Sequence, residues 1–371
     1  AHLVWDQRVA SSNLAAPTII IKFIIMNKPS DKNYIMPAEW SNHDCCWMQW
    51  PTDVTGDYSE IESWAHFDLE KARVAWANVA NTISKFEDLK MIVHPDNISS
   101  AKNLLNSSIQ VLPLELNDAW ARDSGAIFVL NRDGKLGGVD SDFNCWGYKI
   151  NYELDDKVAK FMINDTKAEY FKNNMVLEGG SIHVDGEGTL LTTEQCLLNK
   201  NRNPSLSKLD IEKNLKDYFG ISKVIWLKHG TDEGTDGHID NVACFTEPGV
   251  ISAMVCSDKN DSYYEILNEN LETLKTSTDS RGNRLKIIEI EMSYQRLVPG
   301  SDEPCSYINY YIANNGIIMP IYNDLKADEA AVNQIKSAFP NRKVVCIDGH
   351  DIHLGGGNVH CITQQQPKGH V

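Results

Sequence analysis

From about Ser59 onward the chain repeats one grammar: an amphipathic helical stretch, a short apolar run, a polar loop containing Gly or Asp, and a second apolar run. This repeat constrains the fold more tightly than any other feature of the sequence. A single unit cannot bury its helix face alone, so neighbouring copies must share their cores. Helical stripes are read at Ser205 to Phe219, with Ile211, Leu215 and Tyr218 on one face and Gly220 as a stop, and at Asp261 to Lys275, with Tyr263, Leu267, Leu271 and Leu274. A third runs from Asp328 to Phe339, carrying Val332 and Ile335, and ends before Pro340. Two earlier stretches, Ser59 to Phe86 and Asp155 to Phe171, complete the set.

Each helix leads into an apolar strand: Leu89 to Val93, Met175 to Leu177, Val224 to Leu227, Leu285 to Ile290 and Val344 to Ile347. The strands after the polar loops are Ala126 to Leu130, Thr189 to Thr193, Val242 to Phe245, Tyr307 to Ala313 and Val359 to Thr363. Five units of roughly 60 residues imply a single α/β propeller-like domain over residues 26–371 with its polar loops at one end. A doubly wound open sheet is the rival, because it shows the same alternation of strand and helix.

The 371 residues, 42% of them apolar, suffice for a substantial core. A formal net charge of −16 without any Lys/Arg cluster excludes a nucleic-acid surface and suits a cationic ligand drawn in by long-range attraction. Nine cysteines without a CxxC pair or a disulfide-scaffold spacing point to a reduced, cytoplasmic setting. The apolar run Pro17 to Met26 is interrupted by Lys22 and is too short to span a bilayer, so residues 1–25 are read as a non-native or disordered segment and no membrane partner is expected.

Four loops carry residues fit for chemistry. The first, Asn117 to Gly125, holds Trp120, Arg122 and Asp123, for which an internal Arg122–Asp123 pair closing a turn is the plain structural reading. The second is Glu178-Gly179-Gly180, a carboxylate before two glycines that let backbone approach a ligand. The third, Gly234 to Asn241, places Asp236, His238 and Asp240 on one face if the segment is extended, with Ile239 turned inward. The last runs from His353 through Gly355-Gly356-Gly357 to Cys361 and a Gln run; Cys361 sits where a loop enters a strand, whereas Cys244, Cys256 and Cys346 lie in apolar strands. Asp123 and Glu178 are 55 residues apart, Glu178 and His238 are 60 apart, and His238 and Cys361 are 123 apart, close to twice the repeat. In a cyclic array these loops would meet on one axis.

Taken together, the strings Trp120-Ala121-Arg122-Asp123, Glu178-Gly179-Gly180, Gly237-His238-Ile239-Asp240-Asn241 and Gly355 through Gln365 resemble the agmatine deiminase family of guanidine-modifying enzymes. Met36-Pro37-Ala38-Glu39-Trp40 and Trp47-Met48-Gln49-Trp50-Pro51 are similar to that family's opening. The resemblance implies a pentein-like, fivefold pseudo-symmetric α/β propeller, no metal and no organic cofactor, a small cationic guanidine (agmatine) as substrate, and a homodimer. It also implies Cys361 as nucleophile, His238 as proton shuttle oriented by Glu178, and Asp123, Glu178 and Asp240 as a guanidinium clamp beside Trp120. Asp232, in the acidic turn Thr231-Asp232-Glu233, is the candidate for the amine end. Ala126 and Cys45-Cys46 depart from the family's usual residues, away from the proposed catalytic positions.

Three alternatives stay open on the residues alone. The substrate could be free or peptidyl arginine, since the clamp does not read the far end. A metal hydrolase could be built on Asp236, His238, Asp240, His350, His353 and His360. The loops could also serve a non-enzymatic scaffold.

Overall fold

In the computed structural model, which describes residues 28–52 and 68–369, one arrangement recurs. A strand turns back on itself as an antiparallel neighbour, a helix crosses over, and a third strand adds in parallel. The first sheet holds β1 (His43–Gln49), α1 (Leu69–Ile83), β2 (Asp88–Val93) and β3 (Gln110–Pro113). The second holds β4 (Ile127–Leu130), β5 (Leu136–Asp142), α2 (Val158–Thr166) and β6 (Glu169–Val176). The third holds β7 (His183–Val184), β8 (Thr189–Thr193), α3 (Lys208–Phe219) and β9 (Lys223–Leu227). In the fourth are β10 (Ala243–Glu247), β11 (Val250–Val255), α4 (Tyr264–Thr276) and β12 (Lys286–Glu291), and in the fifth β13 (Tyr311–Ala313), β14 (Gly316–Ile321), α5 (Leu325–Ala338) and β15 (Lys343–Asp348). Finally β16 (Thr363–Pro367) returns to the first sheet and pairs antiparallel with β1, giving the order β16-β1-β2-β3. The described residues thus form five small mixed sheets, not one open sheet, and the doubly wound alternative falls away.

The helices form for ordinary reasons. α3 opens on Ser207, whose side chain accepts from Asp210 N while Asp210 caps the Ser207 N–H in return. Such a cap contributes about 1 kcal/mol. Its stripe Ile211, Leu215 and Phe219 is buried, and Gly220 stops it in the left-handed conformation at φ 73°. The buried clusters run between neighbouring units. Trp47 and Ile92 pack with Phe128 and Met162, Val139 and Phe171 with Leu190 and Leu215, and Ile251 and Leu267 with Met319 and Ile335. Cys46 and Trp76 pack with Tyr311 and Ile318, which brings the last unit back against the first. Each helix therefore needs its neighbour, as the repeat requires.

Several sequence expectations need correction. Four of the sheets have three strands and the first has four, rather than two apiece; β5, β11 and β14, each paired on both sides, went unread. α2 stops at Thr166 because Lys167 turns left-handed at φ 55°, so the stretch to Phe171 is not helical but opens β6, where Phe171, Asn173 and Met175 alternate inward. The last strand is not Val359 to Thr363 but the Gln run itself. There Gln366 accepts from Trp47 Nε1 (3.1 Å), and Gln364 accepts from Arg122 and donates to Ala126 O (2.9 Å). Residues 1–25 and the first part of the Ser59 to Phe86 helix lie outside the described residues. Among the described residues, no helix is long and apolar enough to cross a membrane, and all nine cysteines are free thiols.

Candidate active site

The loops entering β4, β7, β10, β13 and β16 meet, and Cys361 sits among them, 4% exposed. Its Sγ receives the Asn309 Nδ2 donor at 3.2 Å and donates to Asp240 Oδ2 at 3.4 Å. Gly357 makes room for it: a Cβ there would fall 2.7 Å from Trp120 Cζ3 and 3.0 Å from the Cys361 sulfur. Trp120, Asp123, Trp146, Gly234, Thr235, Gly356 and Cys361 line a narrow pocket. Behind it lie His238 and Glu178, both 0% exposed. Gly180 is the hub, because a Cβ on it would stand 2.6 Å from His238 Nδ1, 2.8 Å from Asp123 Oδ1 and 3.0 Å from Asp240 Oδ2. Its own N–H donates to Asp123 Oδ1 (3.0 Å), and Trp146 Nε1 donates to Asp123 Oδ2 (2.9 Å).

Glu178 and Asp240 share a pattern. One oxygen of each is held by an internal cation, and the other is buried without a hydrogen-bond partner. Arg202 Nε bonds Glu178 Oε1 and leaves Oε2 unpaired; His360 Nδ1 bonds Asp240 Oδ2 (2.8 Å) and leaves Oδ1 unpaired. Both ring nitrogens of His238 are likewise unpaired, with Asp123 Oδ1 3.8 Å from Nδ1. Buried polar atoms left without partners are costly unless a ligand completes them. These acceptors face the kind of ligand that offers several N–H donors and a positive charge.

The electrostatics follow from burial and like charge. Burial first, and then the charges of Asp240 and Asp123, push the Cys361 thiol well above its ordinary range. Burial also raises Asp123 to about 6; His238 opposes that rise while Asp240 and Glu178 add to it. For His238, burial pulls downward, but Asp123, Cys196 and Glu178 outweigh it and hold the imidazole well above its usual value. Burial would raise Asp240, yet His360 and His238 keep it below the normal carboxylate range. At neutral pH the site thus sets a protonated thiol beside an imidazolium and ionised aspartates.

The sequence profile of the Porphyromonas-type peptidyl-arginine deiminases matches residues 35–367. The chain belongs to that family. A putative agmatine deiminase of Legionella pneumophila is 42% identical over 345 residues, covering 92% of this chain and 97% of the relative. The agmatine deiminase of Medicago truncatula is 38% identical over 375 residues, covering 92% and 98%. Among solved structures, the agmatine deiminase of Enterococcus faecalis superposes with a TM-score of 0.86 at 36% identity, covering 92% of this chain and 98% of that one. A cysteine-to-serine variant of the C. jejuni agmatine deiminase with substrate bound gives 0.78 at 30%, covering 91% and 97%. The resemblance read from the four loops is borne out, and the chain is an enzyme of the guanidine-modifying superfamily.

Within this deiminase framework, Cys361, His238, Glu178, Asp240, Asp123 and Trp120 are brought together. Asp236 is not with them. The extended-strand argument fails because Asp236 (φ 61°) and Gly237 (φ 82°) make a left-handed turn followed by a 3₁₀ turn over Ile239–Asn241. Asp236 instead pairs with Arg202 (2.8 Å) and Lys149 (3.3 Å). Asp232 braces its own loop, accepting from Thr235 N (2.8 Å), Thr235 Oγ1 and Asn241 Nδ2 (3.2 Å). Arg122 and Asp123 part: Arg122 turns to Glu39 (3.2 Å) and Gln364 (2.7 Å). Sequence reasoning missed Asn309, Trp146, Arg202 and the pair His360–Glu39. The doubled spacing between His238 and Cys361 was the signal for Asn309, since it required a further loop between them. Among the described residues, three donors stand close enough to share an ion at two places, Glu39–His183–His360 and Glu178–Cys196–His238. The first set is already hydrogen-bonded beside the Arg122 cation, and the second belongs to the pocket just described. His353, one of the metal ligands considered from sequence, packs against Tyr322 with ring centroids 5.9 Å apart.

Proposed function

We propose that the chain hydrolyses agmatine to N-carbamoylputrescine and ammonia through a covalent intermediate on Cys361. The observation that carries this reading is the pair of buried, unpaired carboxylate oxygens, Glu178 Oε2 and Asp240 Oδ1, set around the thiol and imidazole. A guanidinium is planar and cationic, and carboxylates that accept two N–H bonds hold it best. Its carbon is a poor electrophile, so a strong nucleophile must be supplied.

The bound cation offsets the carboxylate charge that keeps the thiol protonated, so the thiol releases its proton to solvent as the cation binds, and the thiolate attacks the central carbon, forming the S–C bond. His238, already an imidazolium, gives its proton to the departing nitrogen as the C–N bond breaks and ammonia leaves. The remaining thiouronium is attacked by water, one proton of which returns to His238 as the C–O bond forms; the C–S bond then breaks, the second water proton passes to the departing sulfur and restores the thiol, and the ureido product is released. Glu178 helps hold the substrate, and its charge helps keep His238 protonated. In the same reading the five sheets stand about a common pseudo-fivefold axis, and the enzyme is a homodimer, which light scattering tests.

Agmatine is favoured over arginine by charge at the pocket wall. Gly234 and Thr235 lie on the turn that also carries Asp232 and Glu233, and Glu303 faces them. Burial and then the repulsion of Asp232 and Glu233 push Glu303 well above the ordinary carboxylate range. A primary ammonium would relieve that repulsion, whereas the carboxylate of free arginine would add to it. The test compares ammonia release from agmatine, free arginine and a blocked arginine peptide without added metal. Agmatine is expected to be turned over and Cys361→Ala to be inactive; equal turnover of arginine, or substantial release by Cys361→Ala, sinks the proposal.

A further inference from the structure

The opening motif around Glu39 has no part in the chemistry above, yet it ends in the site. Its carboxylate is buried and touches His360 Nε2 at 2.9 Å through Oε1, while Arg122 Nη1 stands at 3.2 Å and His183 Nε2 at 3.6 Å. His360 in turn reaches Asp240 Oδ2 with Nδ1 at 2.8 Å. An ionised carboxylate only accepts hydrogen bonds, so an imidazole between two of them must donate from both nitrogens and carry a positive charge. His183 accepts from Phe245 N at Nδ1 (3.2 Å), which leaves Nε2 as the edge turned toward Glu39. The chain Glu39–His360–Asp240 thus links the first described segment to the residue that also receives the Cys361 thiol.

We propose that Glu39 and His360 are positioning residues for this deiminase: Glu39 holds His360 doubly protonated, and His360 fixes Asp240 so that its free oxygen faces the guanidinium. This rests on the reading that Asp240 clamps the substrate. His360 alone faces both carboxylates; Arg122 and His183 bear on Glu39, and His238 and Cys361 bear on Asp240. Two independent anchors hold Glu39, so it defines where His360 can sit. Removing either link lets Asp240 turn and lose its aim.

The test is a double-mutant cycle on agmatine turnover. His360→Ala is expected to lower kcat/KM roughly 100-fold, and His360→Asn, which keeps an N–H toward Asp240 without the charge, by about 10-fold. Glu39→Gln is expected to cost about 10-fold alone but less than about threefold when added to His360→Ala, because its effect passes through the imidazole. The acid limb of the pH–rate profile should move to higher pH in His360→Asn, since Asp240 has lost the cation that favours its ionised form. Melting curves show which variants are folded, and His360→Asn, the mildest of them, keeps the question answerable if His360→Ala unfolds. Additive losses in the cycle, an unmoved acid limb, or a His360→Asn enzyme of wild-type efficiency overturns the proposal. Asp240→Asn separates the two readings: if it retains turnover, the clamp itself is wrong, whereas a crippled Asp240→Asn beside an unaffected His360→Asn rejects only the positioning role.

Discussion

On the proposed reading, in which Asp123 helps clamp the guanidinium, this residue sets the pH at which the pocket holds a cation. Its carboxyl is raised to about 6, so it stays protonated and cannot clamp until the pH exceeds that value. Agmatine turnover should therefore fall as pH drops through about 6, well above the ordinary Asp range. The Trp146 indole N–H steadies the ionised form. Trp146→Phe removes that donor, so the acid limb should move further up; a pH–rate profile of the variant checks the direction. Gly180 is a second sensitive position. Ala there would push a methyl onto His238, Asp123 and Asp240 at once, and a shift of about 1 Å among reacting groups costs roughly 100-fold in rate. Gly180→Ala is expected to lose activity on that order and, because a methyl forced into a filled site costs about 1–3 kcal/mol, to melt at a lower temperature as well, which steady-state kinetics and calorimetry can read separately. That Cys361, His238 and the three carboxylates would meet was legible because their loops recur at the spacing of the repeat. His360 was not, because a histidine next to a cysteine says nothing about which carboxylates lie beyond it.

The elements explain the rest of what the sequence did and did not show. Amphipathic helices were readable because their buried positions recur every three to four residues, and caps such as Ser207 mark their starts. α5 begins at Leu325, ahead of the reading at Asp328, because its first turn is set by the Asp324 cap while Leu325 itself faces water. The inner strands β11 and β14 were hidden because both faces are covered, leaving apolar runs with no alternation to detect. The pocket wall depends on a segment that periodicity cannot see at all: Cys145, Trp146, Gly147 and Tyr148 have φ of 50°, 55°, 102° and 65°. Lys149 then ties this run to the facing turn through Glu233 O (2.9 Å) and Gly234 O (2.6 Å). Arg202 fastens the same turn to Glu178, with bonds to Thr235 O (3.0 Å) and Asp236 (2.8 Å). Because Arg202 and Glu178 are both fully buried, Arg202→Met strands a carboxylate and should destabilise the fold by about 3–5 kcal/mol. Urea unfolding measures that loss, and agmatine kinetics should show Glu178 misplaced as well.

Taken as a whole, the protein draws its stability from contacts that pass from each unit to the next and return to the first through β16. The repeat made this legible: a helix face that only a neighbour can cover implies either capped ends or closure. The doubled spacing called for a fifth loop but could not say which of its residues reaches the site, since Asn309 lies in a stretch, Ser306 to Tyr311, with neither glycine nor charge. The same closure buries the site, including the oxygens of Glu178 and Asp240 that have no hydrogen-bond partner within the protein and that, as proposed, take the guanidinium. That has a practical outcome for anyone measuring this protein with chaotropes. The cation of guanidinium chloride is the smallest member of the compound class the clamp is shaped for, so at low concentration it should act as a ligand before it acts as a denaturant. In Cys361→Ala, where it cannot react, small additions should raise the melting temperature before larger ones lower it, as expected for anything that binds only the native form. Urea, being neutral, should show no such rise.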